Sequence, residues 1–81
     1  MVKIYPNPSP GKFYLNILPS EHPLLVKVVS EFGQQVYCEK YSFAETGFNE
    51  EVDLSNHETG TYFVEILSNS KFEMHQIVIA R

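Results

Sequence analysis

The stretch Gly60-Thr61-Tyr62-Phe63-Val64-Glu65-Ile66-Leu67 constrains this chain more than any other. It opens on a glycine, which holds a turn without steric cost. It continues in β-branched and aromatic residues, the types that suit a pleated surface. Successive strand side chains point to opposite faces, so Tyr62, Val64 and Ile66 share one face and Thr61, Phe63, Glu65 and Leu67 the other. Both faces are largely apolar, so neither can be left wholly to water. That predicts a strand in the middle of a sheet, and the other segments must supply its neighbours and its cover.

Those neighbours can be read in order. Val2 to Tyr5 is a short extended segment. It runs into Pro6-Asn7-Pro8-Ser9-Pro10-Gly11, where the prolines remove backbone donors and push each preceding residue to extended geometry. This predicts a rigid loop that closes on Gly11 with a positive φ. Lys12 to Ile17 alternates cleanly, with Phe13, Leu15 and Ile17 on one face and Lys12, Tyr14 and Asn16 on the other. After the turn cluster Leu18-Pro19-Ser20-Glu21-His22-Pro23 comes a strand from Leu24 to Ser30. Glu31-Phe32-Gly33-Gln34 reads as a hairpin turn with Gly33 left-handed. The return strand, Gln35 to Tyr41, is predicted to face Val36 and Cys38 inward and Tyr37 and Tyr41 outward.

A polar connection over 42–47 leads to a strand from Phe48 to Leu54, with Phe48, Glu50, Val52 and Leu54 on one face. Glu50 on that apolar side marks a sheet edge. Ser55, with Glu58 three residues on, is predicted to cap a single helical turn. Ser68-Asn69-Ser70-Lys71 is a tight hairpin loop, and Phe72 to Ala80 is the last strand, ending in Ile77-Val78-Ile79 before Arg81. About seven strands at this spacing, with no long helix and no internal repeat, point to an all-β fold. The expected form is a small antiparallel β-sandwich, immunoglobulin-like. Its core is expected to hold Phe13, Leu15, Val26, Val28, Val36, Val52, Leu54, Tyr62, Val64, Ile66 and Ile77.

Composition removes several functions. An 81-residue chain makes one domain. Its net charge of −4, with no basic run, argues against nucleic acid as a partner. No apolar run reaches the ~20 residues of a helical membrane span. A single cysteine, Cys38, forms no internal disulfide and is expected to be a buried, inert thiol. His22, His57 and His75 lack the spacing of a zinc site. Glu50, Glu51 and Asp53 split between two faces, so they read as a solvated surface rather than a paired acid and base. Gly11, Gly33, Gly47 and Gly60 are turn glycines and form no phosphate loop. No cofactor and no catalytic set emerge. Met1 directly before a strand-like run reads as an added start, so a longer chain is expected upstream.

Several blocks then line up with a known family. Tyr5-Pro6-Asn7-Pro8 with Gly11 resembles the opening motif of the type A C-terminal sorting domain of the type IX (Por) secretion system. Val26-Lys27-Val28 followed by Phe32-Gly33-Gln34-Gln35-Val36 is similar to the family's second block. Val52-Asp53-Leu54-Ser55 and Gly60-Thr61-Tyr62-Phe63-Val64-Glu65-Ile66 resemble its third, and a last strand closing on basic Arg81 resembles its fourth. The likeness covers essentially the whole chain in the expected order. His57 departs from it, standing where the family carries an apolar residue, and Gln76 stands near the family's lysine.

The resemblance implies a non-catalytic address label at the C-terminus of a larger cargo in the Bacteroidetes group. It implies export through the periplasm and outer membrane to the cell surface or medium, with an outer-membrane translocon and a sortase as partners. The recognition candidates are Tyr5, Pro6, Asn7, Pro8, Gly11, Gly33, Gly60, Tyr62, Ile77, Val78, Ile79 and Arg81. Of these, Ile77-Val78-Ile79 is expected to offer an open strand edge to the machinery. The alternative is a carbohydrate-binding or adhesive sandwich of an extracellular enzyme, with Tyr14, Tyr37 and Tyr41 as an outward stacking platform.

Overall fold

The computed structural model describes residues 2–19, 21–42 and 46–81. Met1, Ser20 in the predicted turn cluster and the middle of the 42–47 connection lie outside the described residues. The strands are β1 (Val2–Tyr5), β2 (Lys12–Ile17), β3 (Leu24–Ser30), β4 (Gln35–Tyr41), β5 (Phe48–Asp53), β6 (Gly60–Ser68) and β7 (Lys71–Ile79). They form a three-stranded sheet in the order β1-β2-β5 and a four-stranded sheet in the order β4-β3-β6-β7, with every pairing between them antiparallel. In an immunoglobulin constant domain the fourth strand joins the first sheet. Here the short Glu31–Gln34 turn keeps β4 on β3, in the second sheet.

β6 lies between β3 and β7, the interior place that its two apolar faces demand. The core is the layer where the sheets face each other. It holds Phe13, Leu15, Ile17, Val26, Val28, Val52, Leu54, Val64, Ile66, Ile77 and Ile79, each at most 1 % exposed, together with Val2, Leu24 and Tyr62. Alternation predicted most of this set. Val36, expected inside, is half-buried at the margin of the core. Near the start of β6, the Tyr62 hydroxyl donates to the Glu58 carbonyl at 2.5 Å. This is the tyrosine corner found in immunoglobulin-like sandwiches.

Three local expectations are corrected. Val28 pairs with Tyr37 but Val29 pairs with Gln35, so Val36 is an extra residue bulged out of the β3–β4 ladder. The bulge reverses the phase of the strand after it. Tyr37 and Tyr41, expected outward, share the side of Val28 and Leu24 and pack against the core. Cys38, expected inward, is exposed. The 55–58 segment is a turn rather than a capped helical turn. There Ser55 is not the cap: its backbone N–H donates to Asp53 Oδ1 at 2.9 Å, and the His57 N–H donates to the Leu54 carbonyl. The β6–β7 connection is as tight as expected, with Asn69 and Ser70 both at positive φ between paired Ser68 and Lys71.

Candidate functional site

One end of the sandwich collects nearly every residue singled out in the sequence. The β1–β2 loop, the β3–β4 turn, the β5–β6 turn and the end of β7 all lie there. The proline loop is held by its own polar residues. Ser9 is 1 % exposed; its hydroxyl donates to the Lys12 carbonyl at 2.6 Å and accepts from the Gly11 N–H at 3.1 Å. Burial of a hydroxyl is tolerated because it is hydrogen-bonded in this way. Gly11 adopts φ +143, and a Cβ there would stand 3.1 Å from the backbone of Ser55. Glycine is required both for the conformation and for this close approach.

The loop clasps the last strand. Asn7 Oδ1 accepts from the Val78 N–H and Asn7 Nδ2 donates to the Gln76 carbonyl, both at 3.0 Å. Ser9 continues the contact through the backbone: its N–H donates to the Val78 carbonyl, and its carbonyl accepts from the Ala80 N–H, each at 2.8 Å. Ser9 and Ile79 therefore form a parallel bridge. Arg81 reaches across the same end, donating from Nη2 to the carbonyls of Leu54 and Ser55 at 2.9 Å. The Leu54 N–H in turn donates to the Gly11 carbonyl.

Beside the clasp, the β3–β4 turn meets the start of β6. Gly33 holds the turn at φ +86, and the Ser30 hydroxyl accepts from the N–H groups of Phe32 and Gln34. Glu31 Oε2 accepts from the Thr61 N–H at 2.9 Å, while the Glu31 N–H donates to the Thr61 carbonyl. Gly60 leaves the space for that carboxylate, since a Cβ there would approach it to 3.1 Å.

The structure thus brings together Asn7, Gly11, Gly33, Gly60, Tyr62, Val78 and Arg81 as parts of one knot. Tyr5, Pro6 and Pro8 lie on its exposed rim, where the Tyr5 ring lies 5.8 Å from that of Tyr14. Ile77 and Ile79 face the core and are not available as a surface. The edge of β7 beside Val78 is already filled by Asn7 and Ser9, which corrects the expectation of an open edge at the chain end. Ser9 and Glu31 went unnoticed in the sequence. Their only signal was a small hydroxyl inside a proline loop and a carboxylate beside a hairpin turn, both common without any such role.

The electrostatics of this end are modest. The Asp53 carboxyl is held below its ordinary value by hydrogen bonds from the Ser55 side chain and backbone, helped by the nearby charge of Lys12. Among the described residues no cluster of His, Cys, Asp and Glu could hold a metal ion. No helix among them is long and apolar enough to cross a membrane.

Fold and site together define a small immunoglobulin-like β-sandwich whose first loop and last strand are tied into one knot. The family described as the secretion system C-terminal sorting domain matches residues 3–80, and the chain belongs to that family. It is a C-terminal sorting signal of type IX secretion, carried by a cargo and directing export to the cell surface or medium. The family is not an enzymatic one, and the membership does not favour the carbohydrate-binding alternative. No curated protein matches the chain.

Proposed function

We propose that the sandwich is read as a folded unit by an outer-membrane translocon and then acted on by a cell-surface sortase. The sandwich is one sorting domain, and the cargo it addresses lies N-terminal to it. The cargo crosses the inner membrane by its own N-terminal signal and folds in the periplasm before the translocon takes it. Asn7 and Arg81 serve this by holding the last strand against the body, Gly11 by letting the loop close on Ser55, and Tyr5, Pro6 and Pro8 by presenting the exposed rim. Gly33, Gly60 and Tyr62 fix the neighbouring turns, Ile77 and Ile79 anchor the strand from within, and Val78 is gripped through its backbone. The observation that carries this reading is the clasp. Family blocks far apart in sequence meet there through Asn7, Ser9 and Arg81.

The test is export of a reporter that carries an N-terminal leader and this chain at its C-terminus, in cells with and without a type IX translocon. Export that needs both the chain and the translocon is the expected result. Equal export of the reporter without the chain would overturn the reading.

A further inference from the structure

The two outer faces of the sandwich differ. Outside the three-stranded sheet stand Lys12, Tyr14, Asn16, Asn49, Glu51 and Asp53, linked by polar contacts such as Asn16 Nδ2 to Asn49 Oδ1 at 2.8 Å. Outside the four-stranded sheet, cross-strand partners stand in rows. Leu25 of β3 lies beside Leu67 of β6, with Phe72 of β7 beyond it. In the next row Lys27 lies beside Glu65, between Cys38 of β4 and Met74 of β7. In the row after that, Val29 lies beside Phe63. Leu67, Phe72 and Met74 are 47 %, 60 % and 55 % exposed. On the two middle strands, then, this face is apolar except for one cation and one anion placed side by side.

Two sheets stack about 10 Å apart with their strands within roughly 30° of each other. A two-fold axis lying between the sheets can stack this face on itself in two such ways. An axis across the strands sets β3 over β3 and β6 over β6. Lys27 then meets Lys27 of the copy, and Glu65 meets Glu65. An axis along the strands, between β3 and β6, sets β3 of each copy over β6 of the other. Lys27 then meets Glu65 twice, once from each side, while Leu25 meets Leu67 and Val29 meets Phe63. In this second arrangement the middle of the face complements itself row by row.

We propose that the outer face of the four-stranded sheet pairs with a second copy of the chain, through an axis along the strands between β3 and β6. Charge complementarity selects this occupant. An acidic or a basic surface would satisfy one of the two central charges and oppose the other, whereas the copy presents both in the required order. The same patch serves on both chains, as a two-fold interface requires. Three rows across four strands give fewer residues than the roughly 20–30 a side of a standard interface, and each chain carries a net charge of −4. The dimer is therefore weak, with a dissociation constant on the order of 0.1–1 mM. This inference goes beyond the sorting function and does not depend on it.

The test is sedimentation equilibrium of the chain at about 0.15 M salt, where exposed charges are screened beyond ~8 Å. Single chains at about 10 µM should give way to a growing share of dimer toward about 1 mM. Over the same range the amide shifts of 25–29 and 63–67 should move, and those of β1, β2 and β5 should stay still. Lys27→Glu and Glu65→Lys should each weaken association more than about tenfold, because like charges then face each other. Glu65→Lys also reduces the net negative charge, so an association governed by net charge would strengthen instead. Mixing the two variants in equal amounts should restore the dimer, since each contact across the axis is again Glu against Lys. A parent that stays a single chain at 1 mM would overturn the proposal and leave the face to a partner of other chemistry. So would shifts confined to other strands, folded single variants that associate as the parent does, or a mixture of folded variants that does not associate. The shift measurement needs no variant, so it decides the matter even if a substituted chain fails to fold.

Discussion

On the β1–β7 flank the sheets are joined by directed bonds from Asn7 and Ser9 to the backbone of β7, while on the β4–β5 flank the described residues meet through aromatic side chains. There the Tyr41 ring lies 5.5 Å from that of Phe48, and the hydroxyls of Tyr37 and Tyr41 bond at 2.7 Å. The first flank is specified by backbone geometry, in which one added methyl group matters. The second is specified by half-buried aromatic area, which tolerates adjustment. The contrast implies that the same small chemical change costs most at the clasp.

The sharpest way to break that contrast is Gly11→Ala. The new side chain meets both an unfavourable φ of +143 and the Ser55 backbone at 3.1 Å. Strain of this kind costs about 2–3 kcal/mol, which for a domain this small lowers Tm by more than about 10 °C. Thermal unfolding followed by circular dichroism measures it. A loss no larger than that of a surface substitution would mean that the clasp does not hold this flank.

A smaller effect is expected on the other flank from Tyr41→Phe. It removes one hydroxyl pair, and the half-exposed Tyr37 hydroxyl can turn to water, so the cost is about 0.5–1 kcal/mol. Burial pushes both tyrosines above their ordinary value of 10.0. A group whose folded pKa is raised binds its proton more tightly when folded. The stability it adds is complete below the unfolded pKa and is lost as pH rises through the folded one. The parent should therefore lose stability above about pH 10, and the Tyr41→Phe chain should lose less over the same range. Parallel melting curves of the two chains at rising pH would show whether burial sets this flank's response.

Much of this architecture was legible because period-two alternation is local. Phe13, Leu15 and Ile17 announce their face within a single segment, and the apolar faces of Gly60–Leu67 announce an interior strand. The partner of Asn7 is not local: the bond to Val78 spans 71 residues. The proline loop was therefore readable as rigid, but its grip on the last strand was not. The Asp53 cap escaped for another reason, since Ser55 and Asp53 are both good turn residues and only geometry chooses between them. The outermost failure came from one inserted residue. Shifting a strand's phase by one moves every later side chain to the opposite face, so the bulge at Val36 exchanged the places of Cys38 and its tyrosine neighbours.

That exchange gives the smallest expected effect and the most direct check on the bulge. Cys38 pairs with Lys27 on the outer side of the four-stranded sheet and is exposed. Cys38→Ser should therefore change stability by less than about 0.5 kcal/mol, as surface substitutions do. In the native chain the thiol should react with an aromatic disulfide reagent without prior denaturation, because the side chain is exposed. An unbulged strand, continuing the Val29–Gln35 register, would instead bury Cys38 opposite Val26. A thiol that reacts only after denaturation would then place Tyr37 and Tyr41 outside and remove the aromatic closure of the β4–β5 flank.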